Sequence, residues 1–456
     1  MQMKKITLLL LVFVLLFNTV KAQLDERYEE TSSEESVAPA GTVSVLKLKK
    51  SYILGDGITL KSSIGRINLT QSLQTSFLLN TPNSNLTKMS AAFDINRARL
   101  SFAANLFDKR FNIYGRLNFA ANYQSATTYS RTFNTVLQEA FVEYKPNITH
   151  AINFGLRADY IDSRETRIEG ESLGFINRSA VSGAFDAIFD FGLRYKGNYK
   201  LGGKHLLKPY LSITTGDSRS ALQKNYGGFK YGIRLDYLPF DKFSKGGEGY
   251  MDDLAREQKP KLVIGVIYSY NNGISSAIGM NGGKYLYGDS SQKILLPDYS
   301  KAGADFLFKY KGFYAMGSYF LTNVKLPEGV TGYFDWKKGN YIYKSYKEVD
   351  SSITSSQIQD SIKSKLNIGN GFSIQAGYTF PSNWSVACRY ASLNENGISN
   401  NFADYNKSYT LVFTKYLSGN NLKIQTEFGF DELKSSLKTA TKKGNYYSQI
   451  MVTVQL

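Results

Sequence analysis

Cysteine and histidine are nearly absent from this chain. A single cysteine, Cys388, excludes an internal disulfide framework and any cysteine-built zinc cluster. Two histidines, His150 and His205, are too few for a multi-histidine metal centre. Proline is also scarce, at 9 of 456 residues, while Tyr and Phe number 33 and 29; neither disordered nor collagen-like chains have that composition. No apolar run reaches the ~18–20 residues a membrane helix needs, which excludes a helical transporter. There is no phosphate loop, zinc spacing or dinucleotide fingerprint, and no cofactor is expected. What the chain does have is an excess of Lys+Arg (55) over Asp+Glu (38), 39 glycines and a modest mean hydropathy of −0.29.

Residues 1–22 read as an export leader. Lys4 and Lys5 precede an apolar core from Ile6 to Phe17, and Val20-Lys21-Ala22 offers small residues where a signal peptidase cuts. Residue 23 is Gln, so nothing marks a lipoprotein. Residues 23–57 are polar and locally acidic (Asp25, Glu26, Glu29, Glu30, Glu34, Glu35), with few large apolar side chains to bury, and read as a periplasmic extension. From there to residue 456 no composition break divides the chain, so 58–456 is expected to form one domain.

The dominant pattern in that domain has a period of two. Ala98, Leu100, Phe102, Ala104 and Leu106 alternate with Arg97, Arg99, Ser101, Ala103 and Asn105. After Phe107–Arg110, the residues Phe111, Ile113, Gly115, Leu117 and Phe119 alternate with Asn112, Tyr114, Arg116 and Asn118, which reads as a hairpin. Further alternating segments fall at 66–79, 135–145, 150–160, 185–198, 206–215, 229–239, 260–271, 301–311, 312–322, 371–380, 383–393, 408–417, 421–431 and 445–456, giving sixteen strands. Short links (Lys145–Thr149, Lys311–Gly312, Phe380–Asn383, Ser418–Asn421) alternate with long ones (161–184, 272–300, 323–370, 394–407). The exception is 240–259, a long charged stretch where a short turn is due.

An exported meander with one short-loop rim and one long-loop rim is the pattern of an all-β transmembrane antiparallel up-and-down barrel, with short periplasmic turns and long extracellular loops. Inside hydrocarbon every backbone polar group must be paired within the protein, so the sheet must close. Its outward face must be apolar, and Tyr and Phe at strand ends suit the interfacial girdles. The cell outer membrane is the expected location, with its lipid and lipopolysaccharide as surroundings. Basic runs such as Lys337-Lys338 suit contact with anionic headgroups or solvent, and no nucleic-acid partner is expected.

Gly57-Ile58-Thr59-Leu60 to Leu69, followed by Asp94-Ile95-Asn96-Arg97-Ala98-Arg99-Leu100-Ser101-Phe102, resembles the opening strands of the phosphate-selective porin O and P family of outer-membrane porins. The resemblance extends over residues 55–456 as strand count and rhythm. It implies a sixteen-stranded barrel, a homotrimer, and a water-filled channel for passive diffusion of small hydrophilic solutes, in some members anions. The chain departs from the family in ending on Leu456 rather than an aromatic residue, and the arginine ladder of the phosphate-specific members has no position-by-position counterpart.

Strand alternation selects the candidate pore-lining residues Arg97, Arg99, Arg116, Glu139, Glu143, Arg157, Arg194 and Arg234. Two arginines on one face, with Arg116 on the adjoining strand, form a cation cluster that favours weak anion preference, while Glu139 or Glu143 can neutralise part of it. The charged segment 161–184 either folds inward and narrows the pore or stays a solvated surface loop. A plugged-barrel transporter with a specific substrate is the alternative function. An outer-membrane barrel enzyme would set a His base beside a Ser or water nucleophile; His150 and His205 have no evident partner, so no enzymatic activity is expected.

Overall fold

The computed structural model describes residues 53–456 apart from residue 64 and segments 82–87, 108–109, 121–135, 218–224, 280–281, 338–339, 396–404 and 440–441. The expected leader, and residues 23–52 of the expected extension, lie outside the described residues.

The domain is a closed antiparallel barrel of sixteen strands in chain order. They are β1 (Gly65–Thr81), β2 (Ser90–Leu106), β3 (Phe111–Asn118), β4 (Leu137–Tyr144), β5 (His150–Ala158), β6 (Phe189–Gly197), β7 (His205–Thr214) and β8 (Lys230–Leu238). The second half comprises β9 (Lys261–Asn271), β10 (Asp298–Tyr310), β11 (Phe313–Lys325), β12 (Gly369–Thr379), β13 (Trp384–Glu395), β14 (Tyr405–Ser418), β15 (Leu422–Leu433) and β16 (Gly444–Gln455). Closure comes from β1 pairing with β16, from Ser72 opposite Gln455 to Thr81 opposite Tyr446. Leu456 adds a reciprocal pair of backbone bonds with Gln71, at 2.7 and 3.1 Å. Beyond the end of the chain, the short strand Ile58–Ser62 folds back on Gly65–Leu69 and covers the rest of the β1 edge. The β1 edge is thereby paired over residues 65–69 and 71–81, as hydrocarbon requires of a spanning strand.

Burial in this barrel is inverted relative to a soluble protein. Outward-facing Leu193, Ile233, Val266, Leu321 and Phe428 are about half exposed, whereas inward-facing Arg234, Asp236, Lys423 and Glu427 are 0% exposed. A sheet that turns apolar side chains out and seals its charges inside is stable only when its outside meets lipid.

Two sequence expectations need correction, and one exception finds its place. Strand 185–198 begins at Phe189, because Ala180–Phe185 is a short helix in the preceding loop and Asp186 staples that loop rather than lining a strand. The 272–300 and 323–370 links are not bare loops. They carry a separate four-stranded sheet (Leu286–Gly288, Ile294–Leu295, Gly332–Lys337, Asn340–Ser345) and the helix Ser355–Lys363. That helix buries Ile358 and Ile362 against Ile274, Tyr287 and Tyr299, which gives the cap its own apolar core. Finally, 240–259, the long charged stretch where a short turn is due, turns inward in part: Phe243, Met251, Asp252 and Asp253 are buried.

A charge on the outer wall at mid-strand has no water to face. Val266→Arg, at the midpoint of β9, is expected to lower barrel stability by about 2–4 kcal/mol. Equilibrium refolding into lipid vesicles measures this, and an unchanged transition would place Val266 away from lipid.

Candidate functional site

The segment between β5 and β6, residues 159–188, enters the lumen and packs against walls on several sides. Two short helices shape it: α1 (Arg164–Arg167), capped by Ser163 accepting from the Thr166 N–H, and α2 (Ala180–Phe185), capped by Ser179 accepting from the Ser182 N–H. Such caps satisfy helix-end donors that water cannot reach here. Asp186 accepts from the Ser163 and Thr166 hydroxyls at 2.5 and 2.7 Å, tying the two ends of the segment together. Glu165 accepts from the Ser179 and Ser182 hydroxyls at 2.6 and 2.8 Å.

The wall residues answer the segment charge for charge. Arg234 bonds Asp236 at 2.7 Å and Asp305 at 2.6 Å, and Arg164 from the segment reaches the same two carboxylates at 2.9 and 3.3 Å. Gly265 lies between these groups, where a Cβ would overlap the Arg234 guanidinium. Lys301 holds Asp162 at 2.8 Å and Asp186 at 3.2 Å, and Arg389 bonds Glu165 at 3.4 Å. On the far wall, Lys423 donates to the Leu173 carbonyl at 2.6 Å, and Glu427 accepts from the Ile176 N–H at 2.9 Å. Losing one partner of a buried pair costs about 3–5 kcal/mol, so these contacts hold the segment firmly in place.

From the opposite rim, residues 239–260 rise to meet it. The Met251 N–H donates to the Ser172 carbonyl at 3.2 Å, and the Gly174 N–H lies 3.3 Å from the Met251 sulfur. Phe243 and Met251 join Ile168, Leu173 and Phe175 with wall residues Val263, Leu307, Met316 and Val412 in one apolar cluster. Asp252 accepts from the Tyr416 hydroxyl at 2.5 Å, and Lys309 donates to the Gly247 carbonyl at 2.9 Å. This cluster occupies part of the lumen with buried apolar side chains.

A cavity of about 240 Å³ remains on the other side, beside β2–β5. Arg97, Arg99, Arg116 and Glu139 line it together, with Arg167, Glu169 and Arg178 contributed by the inward segment. Arg116 bonds Glu169 at 2.7 Å and Glu139 at 3.2 Å; Arg99 bonds Glu171 at 3.0 Å. Arg97 instead donates to Gln74, and Arg178 donates to the carbonyls of Glu165, Thr166 and Ile168. Among the described residues no carboxylate pairs with either of them, so two positive charges are left over at the cavity. Gly170 passes directly over Arg97, where a Cβ would overlap the guanidinium.

The other expected residues face inward but belong elsewhere. Arg157 lies over the Phe141 ring and bonds the Tyr160 hydroxyl at 3.0 Å, with Glu143 at 3.9 Å. Glu143 itself pairs with Lys145 at 2.7 Å. Arg194 is sealed against Asp159 at 3.4 Å and Arg234 lies in the network above; both brace the wall and neither lines this cavity. Glu169, Glu171 and Met251 went unassigned in the sequence, although the acidic pair sat in a segment flagged for its charge. His150 and His205 bond Tyr195 and Tyr237 on the short-loop side, at 2.8 and 2.7 Å.

Burial alone would raise the Glu171 carboxyl, but Arg99, Arg97 and Arg116 outweigh it and hold it well below the usual carboxylate range. Because the folded value is the lower one, its contribution is complete above the free-carboxylate pKa of ~4.3 and is lost as the pH falls below it. Burial pushes Asp162 the other way, up to about 6, with Asp186 adding to the rise and Lys301 opposing it. Protonation of Asp162 therefore favours the docked segment as the pH falls through that value. The melting temperature in detergent should hold or rise from about pH 7 to pH 5 and drop below about pH 4. Glu171→Gln should lower it at neutral pH and flatten the acid limb; an unchanged limb would show that Glu171 does not anchor the segment.

No protein-family model and no curated protein matches the sequence. Among solved structures, the fold is similar to that of Salmonella typhi OmpF in complex with daunomycin, with a TM-score of 0.52 and 11% identity over 88% of this chain and 100% of that one. It is also similar to OmpT, an outer membrane protein of Vibrio cholerae (TM-score 0.47, 11% identity, 87% and 99% of the two chains). The outer membrane channel DcaP of Acinetobacter baumannii gives 0.44 and 12% identity over 87% and 99%. The likeness to OmpF is one of architecture: the chain has the closed sixteen-strand barrel fold of an outer-membrane porin.

Proposed function

We propose that the protein is an outer-membrane channel for passive diffusion of small hydrophilic solutes, with a weak preference for anions. The observation that carries the preference is the pair Arg97 and Arg178, two cavity-lining guanidiniums with no carboxylate partner among the described residues. In a narrowed, partly dehydrated passage, side chains replace part of an ion's hydration shell, and an uncompensated positive charge lowers the barrier for anions. The inverted burial of the barrel and its porin-like architecture support the channel reading and the outer-membrane location. A homotrimer, phosphate-like anions as solutes and contact with lipopolysaccharide belong to the same proposal.

The packed cluster around Met251 favours a second reading, a plugged transporter that opens only for its substrate. Resting conductance separates the two: a diffusion channel conducts in planar bilayers without any substrate, and a plugged transporter is silent.

In a salt gradient the reversal potential should indicate anion selectivity, and Arg97→Ser with Arg178→Ser should abolish it; cation selectivity of the wild type would reject the reading. Deleting residues 165–180 should raise single-channel conductance several-fold, and an unchanged conductance would show that the segment does not limit flow.

A further inference from the structure

Three side-chain atoms of residues lining the 240 Å³ cavity are buried and have no hydrogen-bond partner within the protein: Asn96 Oδ1, Gln138 Oε1 and Arg99 Nε. Gln138 is 2% and Arg99 7% exposed, so bulk water does not satisfy them by default. An unmet buried polar group costs about 1–3 kcal/mol, and of the eighteen such side-chain atoms among the described residues three border this one space. The same space is bounded by the guanidiniums of Arg97 and Arg178, which donate to Gln74 and to backbone carbonyls and have no carboxylate partner among the described residues. It opens to solvent at Glu169, whose side chain is 53% exposed.

The two sets of groups ask for different things from one molecule. The guanidiniums, through the N–H groups not already donating to Gln74 or to the segment's carbonyls, suit a carboxylate. The amides of Asn96 and Gln138 suit hydroxyls, which can both donate and accept. A bare inorganic anion would satisfy the first set and leave the amides unmet, and a neutral sugar would do the reverse.

We propose that this cavity is a binding subsite for a small carboxylate that also bears hydroxyl groups, of the sugar-acid class. Arg97 and Arg178 take the carboxylate, while Asn96 and Gln138 take the hydroxyls. The subsite rests on the channel reading, since it places the solute on the path beside the inward segment, and it narrows the general anion preference to a chemical class.

Galacturonate, acetate and galactose, each added to the full-length protein in planar bilayers, distinguish the contributions. Galacturonate should reduce the chloride current at a concentration about tenfold lower than acetate, which lacks the hydroxyls, or galactose, which lacks the charge. Asn96→Ala with Gln138→Ala should bring galacturonate to the level of acetate. Arg97→Ser with Arg178→Ser should bring it to the level of galactose. Equal block by galacturonate and acetate in the wild type would overturn the subsite while leaving anion selectivity intact. Cation selectivity in the salt gradient would instead overturn the channel reading beneath it, so the two failures are told apart. The wild-type comparison needs no variant to fold, and heat-modifiable migration on gels confirms closure of those that are made.

Discussion

Filling a barrel removes the water that its wall charges would otherwise face, and every one of those charges must then be met by the protein. That requirement governs the interior of this molecule. The 159–188 segment meets it with its own acids, bases and backbone carbonyls: Arg164 against Asp236 and Asp305, Glu165 against Arg389, Asp162 and Asp186 against Lys301. A buried ion pair rarely improves on a well-packed apolar contact in net free energy, but breaking one is severely unfavourable. The network therefore acts mainly to specify one docked position for a segment whose own two helices span only a few residues each.

The second inward segment uses different physics. Residues 239–260 bring Phe243 and Met251 into contact with apolar residues of both the barrel wall and the first segment. Dispersion and the exclusion of water hold this contact, and they need no fixed partner geometry. One side of the lumen is thus closed by an apolar plug built from both rims. The other side keeps a polar cavity where the pairing is incomplete. Beside that cavity Arg97 and Arg178 have no carboxylate partner among the described residues, whereas on the packed side Lys309 and Lys423, which also lack one, are sealed by carbonyls.

Much of the barrel was legible in the sequence because lipid imposes a strict period of two on any strand that crosses it. Leu100 and Phe102 outside against Arg99 and Ser101 inside could be read from alternation alone, as could the rhythm of short and long links. The Arg97, Arg99 and Arg116 cluster was legible for the same reason. Segment 185–198 misled at its start because Phe185 and Asp186 happen to continue the alternation of β6 while belonging to a capped helix and its anchor. The helix in 323–370 was legible but missed, since Thr354 and Gln357 form a capping box ahead of Ile358 and Ile362 one turn apart; the strands of 272–300 and 323–370 were not, because they are two to six residues long and pair only when the two loops meet.

The sequence alone determined that the chain forms a closed barrel, which side of each strand meets lipid, and which charges turn inward, since these follow from local periodicity and the need to pair every backbone group in hydrocarbon. Only the tertiary structure decided which inward charges are spent and which are free. Arg194 and Arg97 look alike in alternating strands; one is sealed by Asp159 and backbone carbonyls, while the other borders a cavity and has no carboxylate partner among the described residues. That difference depends on where two segments far apart in the chain settle inside the barrel, and the energy that places them is a sum of contacts between residues hundreds of positions apart.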